Sequence, residues 1–404
     1  MIYRCKKCNA AVVYSAEKKK LCCEYCGAQF LVSEYEAEEP TDGTEKNSTT
    51  SESTAEEERY MQMNVCRCTA CGSELFVNSA EISTYCAYCG QPTVIMDRVE
   101  MYQEPDYIIP FSVTQQEAER IIRDKFRAGY FVPEEIKNFK TEKIRGIYVP
   151  FLLYDMNYTD MQDFRYTVSS GKSSTTYYAF EKGGCQFRRF PVDASKQLDD
   201  DSSQRLEPYD FKRMVRFDAS YLSGFYADKR NDGNKKTLVR ERAKELFDAE
   251  MLRKLDIKGA ECICSYPEIK FTKCIYVLLP VWFLSFQSEG ASHTIMVNGQ
   301  TAKMVGAVPF VKPKVYGLFA IAATLVSLIA SPILSGLFYL ALEICAHVDD
   351  DDSAAPLVWL FFGLCILCGF VWKKAIKTRN AIHTSISLTE SESNNKYMKE
   401  RQDR

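Results

Sequence analysis

Cysteines are the residues of this sequence whose spacing points most directly to chemistry. The chain has 17 cysteines, and ten of them fall within the first 89 residues. Eight of these ten form four Cys-x2-Cys pairs: Cys5, Cys8, Cys23, Cys26, Cys68, Cys71, Cys86 and Cys89. The first four recur 63 positions later in the same order and with the same spacing, which identifies an internal repeat.

A Cys-x2-Cys pair places two thiolates on one tight turn. Two such turns facing each other across a hairpin give the tetrahedral sulfur site that zinc prefers. Gly27, Gly72 and Gly90, with Asn9 in the equivalent place of the first turn, tolerate the left-handed backbone that this turn requires. The alternative is four pairs of reduced or disulfide-bonded cysteines, but the start of the chain has no signal peptide, which favours a reducing compartment and metal. We therefore predict two structural Zn²⁺ ions as cofactors, bound by the eight cysteines.

A site of four cysteines is closed, because no coordination position remains for a water molecule. The predicted zinc therefore organises a small fold and does not catalyse a reaction. Cys22 and Cys66 adjoin predicted ligands but fall outside the repeat. We interpret both as incidental, although either could replace a ligand or sense oxidants.

The signals for an enzyme are poor. Gly171-Lys172-Ser173 is similar to the end of a phosphate-binding loop, but Tyr166 stands where the first glycine of that motif belongs. The three histidines lie in separate regions, at positions 293, 347 and 383, and predict no catalytic dyad or histidine metal site. We expect no catalytic residues, no organic cofactor and no small-molecule substrate.

The charge balance gives no general affinity for nucleic acid. The 404 residues carry 51 basic and 54 acidic side chains, and the formal net charge is −3. Residues 1–33 hold six basic and two acidic side chains, but a zinc ion with four thiolates offsets part of this surplus. A protein partner is therefore predicted for the cysteine-rich region. Nucleic acid is not expected, and a membrane-tethered nucleic-acid binder acting in replication or transcription is the alternative.

The rest of the chain divides by composition. Zinc ribbons are predicted over residues 1–32 and 65–99, joined by a disordered acidic linker over 33–64. Residues 100–310 read as an α+β cytosolic domain with an antiparallel sheet. One predicted helix begins at the Thr114…Glu117 capping box, and a second covers 236–255. The strand-like runs of this domain cover 147–158, 176–190, 268–286 and 293–308, and Asn298-Gly299 is predicted as a hairpin turn in the last of them.

The C-terminal quarter contains two long uncharged segments, at residues 315–342 and 353–372. Each exceeds the roughly 18 apolar residues that suggest a bilayer-spanning helix. Lysines precede the first segment and follow the second, and Asp349 to Asp352 lie between them. The sequence thus predicts transmembrane helices over 315–345 and 355–373, an acidic outer loop over 346–354, and a polar cytosolic tail over 374–404. It predicts a multi-pass plasma-membrane protein in contact with the lipid bilayer, with both termini in the cytoplasm.

The assembled motifs resemble those of bacterial membrane-anchored zinc-ribbon proteins of the transcription-factor-IIB type. The resemblance rests on the eight cysteines, on the runs IYVPF at 147–151, LPVW at 279–282 and VNGQT at 297–301, and on the two C-terminal segments. It implies a multidomain fold of two β zinc ribbons, an α+β domain and a transmembrane hairpin. It also implies an adaptor that recruits a partner to the membrane in envelope stress, with flotillin-like (SPFH) or phage-shock-protein-A-like proteins as partners.

Overall fold

The computed structural model describes most of the chain. The described residues are 3–35, 59–77, 86–92, 94–126, 134–170, 173–195, 198, 200–231, 233, 235–288, 291–306, 311–346 and 373. Most of the predicted linker, most of the predicted outer loop, and the predicted C-terminal tail lie outside these residues.

Strands dominate the described part of the chain. They are β1 (Val12–Ser15), β2 (Lys20–Cys23), β3 (Gln29–Phe30), β4 (Tyr60–Cys68), β5 (Glu74–Val77), β6 (Val94–Gln103), β7 (Tyr107–Ile108), β8 (Ile144–Ser170), β9 (Ser173–Asp193), β10 (Val215–Arg216), β11 (Tyr226–Asp228), β12 (Glu261–Ser265), β13 (Glu268–Ser288), β14 (Ala291–Asn298) and β15 (Met304–Gly306). The α-helices are α1 (Gln115–Phe126), α2 (Glu134–Lys137), α3 (Asp200–Leu206), α4 (Lys235–Leu255) and α5 (Lys312–Ala346).

The strands form a small sheet and a large one. β1, β2 and β3 make a three-stranded antiparallel sheet. The other 12 strands belong to one sheet with the main order β10-β7-β13-β8-β11-β5-β4-β6. The two longest pairings are β8 with β13 and β8 with β9, and both are antiparallel. β14 pairs with β13 and extends the sheet there. The sheet therefore offers a broad face on which other segments can pack.

Several local predictions are confirmed. The capping box forms at the start of α1, where the backbone N–H of Glu117 donates to Thr114 Oγ1 at 3.1 Å and that of Thr114 donates to Glu117 Oε2 at 2.8 Å. α4 follows the predicted helix to within one residue, and the four strand-like runs all contain strands. Asn298 begins a turn, but the backbone N–H of Asn298 bonds to Lys303 O at 2.8 Å, so the turn is longer than the two-residue loop expected.

Alternating residues of the central strands face two separate hydrophobic cores. On β8, Tyr148 belongs to one core, whereas its neighbours Ile147 and Val149 belong to the other. On β13, Trp282 and Phe283 divide in the same way. Because neighbouring strand residues point to opposite faces, the two cores lie on opposite faces of the sheet.

The predicted fold class, a multidomain chain with two small ribbons and an antiparallel α+β domain, is wrong. The described chain is mostly β-sheet, and the strands of the second ribbon belong to the large sheet: β4 pairs with β6, and β5 pairs with β11. The sheet is also mixed, since β11 runs parallel to β8 and β7 runs parallel to β13. The physical reason is that a short hairpin exposes unpaired backbone groups at its edges, and here neighbouring strands satisfy them.

The prediction of an integral membrane protein at the plasma membrane is also wrong. A membrane span requires sufficient length and sustained apolar character in one helix. No helix in the part of the chain that the structure describes meets both requirements. The first predicted span falls on α5, which contains Pro332, and the second lies outside the described residues except for Lys373.

Candidate metal centres

The first centre consists of the four cysteines of the first repeat unit. Cys23 ends β2, and the other three lie in the turns beside the small sheet. The Sγ atoms of Cys5 and Cys26 are 3.5 Å apart, and those of Cys8 and Cys23 are 3.4 Å apart. All four Sγ atoms lie within 4.8 Å of one another.

The second centre repeats this arrangement with the four cysteines of the second unit. Cys68 ends β4, Cys71 lies in the turn before β5, and Cys86 and Cys89 lie in the segment 86–92. The Sγ atoms of Cys68 and Cys89 are 3.6 Å apart, and those of Cys71 and Cys86 are 3.8 Å apart. These four Sγ atoms also lie within 4.8 Å of one another.

All four Cys-x2-Cys turns, here called knuckles, share one backbone pattern. In each, the N–H of the first cysteine donates to the carbonyl of the fifth residue after it, as in Cys86 N–H to Gln91 O at 2.8 Å. The N–H of the fourth residue after that cysteine donates back to its carbonyl, as in Gly90 N–H to Cys86 O at 2.8 Å. That fourth residue has a positive φ in every knuckle: Asn9 62°, Gly27 70°, Gly72 68° and Gly90 71°. The predicted left-handed positions are therefore confirmed.

The sulfur spacing fits a tetrahedral metal site. With a zinc–sulfur distance of about 2.3 Å, a regular tetrahedron has sulfur–sulfur edges of about 3.8 Å. The closest sulfur pairs in the two centres lie at 3.4–3.8 Å. A disulfide would need about 2.05 Å, and the 14 cysteines whose side chains the structure describes are all free of disulfides. The structure brings together both predicted sets of four cysteines, and each set is compatible with a metal ion.

Hydrogen bonds and burial shift the pKa values of the thiols in the first centre. Burial raises the pKa of Cys5, but the backbone N–H groups of Lys7 and Cys8 and the thiol of Cys26 outweigh this effect. The net pKa of Cys5 is about 7. The Cys8 thiol shifts the other way: the Ala10 backbone N–H lowers its pKa, but burial and the thiols of Cys23, Cys26 and Cys5 raise it to about 12. The four thiols therefore share their protons unequally, and Cys5 is the one of this pair that is more readily deprotonated at neutral pH.

The second centre shows the same effect at Cys71. The neighbouring Cys68 raises the pKa of Cys71, but hydrogen bonds from Cys86, Cys89 and Ser73 lower it to about 6. Burial raises the pKa of Cys71 by less than the bonds from Cys86 and Cys89 lower it, and the bond from Ser73 has the smallest effect. Ser73 is buried, with its Oγ 3.1 Å from Cys71 Sγ and 3.3 Å from Cys86 Sγ. The serine hydroxyl can thus donate a hydrogen bond to a thiolate of the centre.

The segment 86–92 seats the second centre on the large sheet. The Ser285 hydroxyl donates to the Ala87 carbonyl at 2.5 Å, and the Thr294 hydroxyl donates to the Tyr88 carbonyl at 3.3 Å. The ring of Tyr88 packs edge-on against that of Phe283, with 5.5 Å between the ring centroids. Ser285 and Phe283 lie on β13 and Thr294 lies on β14, so this knuckle spans two paired strands.

The first centre is attached through the strands of its hairpin and not through a knuckle. The N–H of Tyr14 on β1 donates to the Ser223 carbonyl at 3.1 Å, and the Tyr14 ring packs edge-on against Tyr221 at 5.1 Å. A Cβ atom at Gly224 would lie 2.3 Å from Val13 Cγ1, so the Val13 side chain lies directly against the backbone of Gly224. Cys5 and Cys23 of the first centre belong to one hydrophobic core, whereas the buried cysteines of the second centre belong to the other core, on the opposite face of the sheet.

Sequence reasoning missed the residues that support the centres. Ser73 corresponds to Ala10 in the repeat, so only the second centre has this hydroxyl. Ser285 and Thr294 lie in strand-like sequence with no local sign of a contact to residues 87 and 88. Tyr35 falls within the predicted linker, yet its hydroxyl donates to the Arg4 carbonyl at 2.7 Å and its side chain is buried beside the first centre.

The remaining described cysteines stay outside both centres. Cys66 is buried on β4, and this burial raises the pKa of its thiol to about 11. Cys22 lies on β2, where its Sγ contacts the Lys20 carbonyl at 3.8 Å. The other cysteines whose side chains the structure describes lie on β9, β12 and β13 and are Cys185, Cys262, Cys264 and Cys274.

The fold and the two centres define a mostly β protein with two four-cysteine sites of the metal-binding type. The chain is similar to a protein of Bacillus subtilis (strain 168), uncharacterized protein YdjG, with 28% identity over 239 residues. The similarity covers 56% of this chain and 70% of YdjG. No protein-family profile matches the chain, and no solved structure matches it.

Proposed function

We propose that this protein is a non-enzymatic zinc protein, in which two structural zinc ions fix a β-sheet scaffold that binds a partner protein. The observation that carries the proposal is the seating of the second centre. Its cysteines connect the end of β4 to the segment 86–92, and that segment lies on β13 and β14. A metal ion there would cross-link segments that are distant in sequence.

The ligand set supports zinc and a structural role. Four thiolates at tetrahedral spacing suit zinc, and a complete set of four protein ligands leaves no position for a reactive water. Three of the four cysteines of the second centre are buried, and the fourth is partly buried. Such a site stabilises the surrounding fold, because metal binding to a site formed only on folding contributes to the free energy of folding.

A partner protein is proposed because part of the first centre faces solvent. Cys26 is exposed, and Tyr25 beside it is 84% exposed. Large exposed aromatic side chains are enriched where proteins bind other proteins. The flotillin-like and phage-shock-protein-A-like proteins implied by the resemblance are the first partners to test.

The test begins with metal analysis of the purified full-length protein. We expect two zinc ions per chain, one fewer in Cys68→Ser and in Cys23→Ser, and no change in Ser174→Ala. Ser174 is an exposed residue of β9 and serves as the matched control. Removal of zinc by a chelator should lower the unfolding midpoint in denaturant.

Two results would contradict the proposal. The first is a zinc content well below one per chain in protein purified under reducing conditions. The second is a metal-loaded protein whose unfolding does not change when the metal is removed, since a structural site must stabilise the fold.

A further inference from the structure

The two repeat units place equivalent tyrosines in opposite environments. Tyr25 and Tyr88 are 63 positions apart and each lies between the two cysteines of its unit's second knuckle. Tyr88 is 5% exposed, whereas Tyr25 is 84% exposed. All of residues 86–89 are buried, whereas of the equivalent residues 23–26 only Cys23 is buried and the other three are exposed.

The buried knuckle shows how such a turn binds a sheet. Two consecutive carbonyls, of Ala87 and Tyr88, accept hydrogen bonds from strand hydroxyls, and the tyrosine ring packs against a phenylalanine. The left-handed glycine lets the backbones approach, because a Cβ atom at Gly90 would lie 2.6 Å from Ser285 O. Three features of the sheet therefore bind the knuckle: an aromatic ring, two hydroxyl donors and a strand backbone that Gly90 approaches closely.

The exposed knuckle, residues 23–27, has the same backbone. Gly27 has φ 70°, close to the 71° of Gly90, and its N–H bonds to the Cys23 carbonyl at 2.9 Å. No atom lies within 4 Å of the position of a Cβ at Gly27, so open space replaces the sheet that covers Gly90. The carbonyls equivalent to those of the buried knuckle belong to Glu24 and Tyr25.

We propose that the exposed knuckle docks onto a β-sheet of the partner protein in the way that the buried knuckle docks onto β13 and β14. The partner presents an aromatic ring to Tyr25 and hydroxyl side chains to the carbonyls of Glu24 and Tyr25. Glu24 stands where the buried knuckle has the uncharged Ala87, so the partner also presents a basic side chain to the Glu24 carboxylate. This inference rests on the proposed function, whose partner surface it specifies.

A second copy of this chain does not fit this role. The seat that matches a knuckle, formed by Phe283, Ser285 and Thr294, is covered in each copy by its own segment 86–92. The first hairpin also attaches to its own chain through Tyr14 and Val13, which lie outside residues 23–27. The exposed knuckle is thus available to a different protein while the chain keeps its fold.

The test uses the full-length protein with a photoreactive phenylalanine analogue in place of Tyr25, expressed in cells, and the same analogue in place of exposed Lys18 as the control. We expect a cross-link from position 25, but not from position 18, that mass spectrometry maps to strand residues of one protein. Cross-links to nucleic acid, to a second copy or to nothing would overturn the inference.

Binding of the identified protein to the purified full-length chain then provides the quantitative test. Tyr25→Ala should weaken binding at least tenfold and Glu24→Lys should weaken it further, whereas Lys18→Ala should leave it within about twofold. Because Tyr25 is largely exposed, Tyr25→Ala should keep its zinc and its unfolding midpoint. Full affinity in Tyr25→Ala would overturn the inference but leave the proposed function standing, while absence of zinc from the wild-type protein would overturn the proposed function itself.

Discussion

Gly90 lies directly against the backbone of Ser285. A Cβ atom at position 90 would be 2.6 Å from the Ser285 carbonyl oxygen and 3.0 Å from its carbonyl carbon. This contact fixes the second centre against β13, and backbone atoms on the sheet side cannot move away as a side chain could. The repeat supplies a natural comparison, because Gly27 has the same φ and no such neighbour.

We predict that Gly90→Ala destabilises the protein more than Gly27→Ala. Both alanines must adopt a left-handed backbone, which costs roughly 1–2 kcal/mol. At position 90 the clash with Ser285 adds about 1–3 kcal/mol. Denaturant unfolding of the two zinc-loaded variants measures the difference, and equal midpoints would show that the contact is not rigid.

The hydroxyl of Ser285 gives a second prediction. It donates to the Ala87 carbonyl at 2.5 Å in a buried environment, so Ser285→Ala leaves that carbonyl without this donor. We expect a loss of about 1–3 kcal/mol in the free energy of unfolding. Ser174→Ala, at an exposed position, is the control and should change stability by less than about 0.5 kcal/mol.

The cysteine centres and the knuckle geometry are the features that the sequence predicts well. Each knuckle and its two backbone hydrogen bonds lie within six consecutive residues, so the spacing of Cys86 and Cys89 and the glycine that follows them determine its shape. The capping box at Thr114 is equally local, and it forms as predicted. Residues that interact with close neighbours along the chain leave a readable pattern.

The contacts that attach the two centres to the rest of the chain could not be predicted in this way. Ser285 is 198 residues away from Ala87, and Ser223 is 209 residues away from Tyr14. Nothing in a single sequence indicates which carbonyl a strand hydroxyl will meet. The two- and three-residue strands β7 and β11 also make the parallel pairings of the sheet, and segments so short carry no periodicity.

The two centres should release metal at different rates, which follows from the proposed zinc. Cys26 of the first centre is exposed, while Cys68, Cys86 and Cys89 of the second are buried. With excess chelator we expect two phases, the first centre losing zinc several times faster because the chelator reaches it without local unfolding. Cys26→Ser should remove the fast phase and Cys89→Ser the slow one. A single phase in the wild-type protein would contradict this assignment.

Cys22 and Cys66 should be dispensable for metal binding. Neither belongs to a cluster of four thiols, so Cys22→Ser and Cys66→Ala should retain the zinc content of the wild-type chain. Cys68→Ser, only two positions from Cys66, is the matched control and should lose one ion. The Cys66 thiol should also resist alkylation in the folded protein, because burial raises its pKa to about 11. Loss of zinc from Cys66→Ala without a loss of fold would show that the register of the repeat is wrong.

Stability should fall in alkaline solution because of buried tyrosines. The hydroxyls of Tyr102 on β6 and Tyr276 on β13 are 3.0 Å apart in the interior, and burial, followed by the neighbouring Tyr276, raises the pKa of Tyr102 well above its usual value. The fold therefore favours the neutral Tyr102 side chain. The resulting contribution to the free energy of unfolding is fully present below about pH 10, the usual tyrosine pKa, and is lost as the pH rises further. Tyr102→Phe should be less stable than the wild type at neutral pH by about 1 kcal/mol, but should lose less stability between neutral pH and about pH 11. Denaturant unfolding at the two pH values measures both effects, and parallel losses in the two proteins would exclude Tyr102 as a cause of alkaline unfolding.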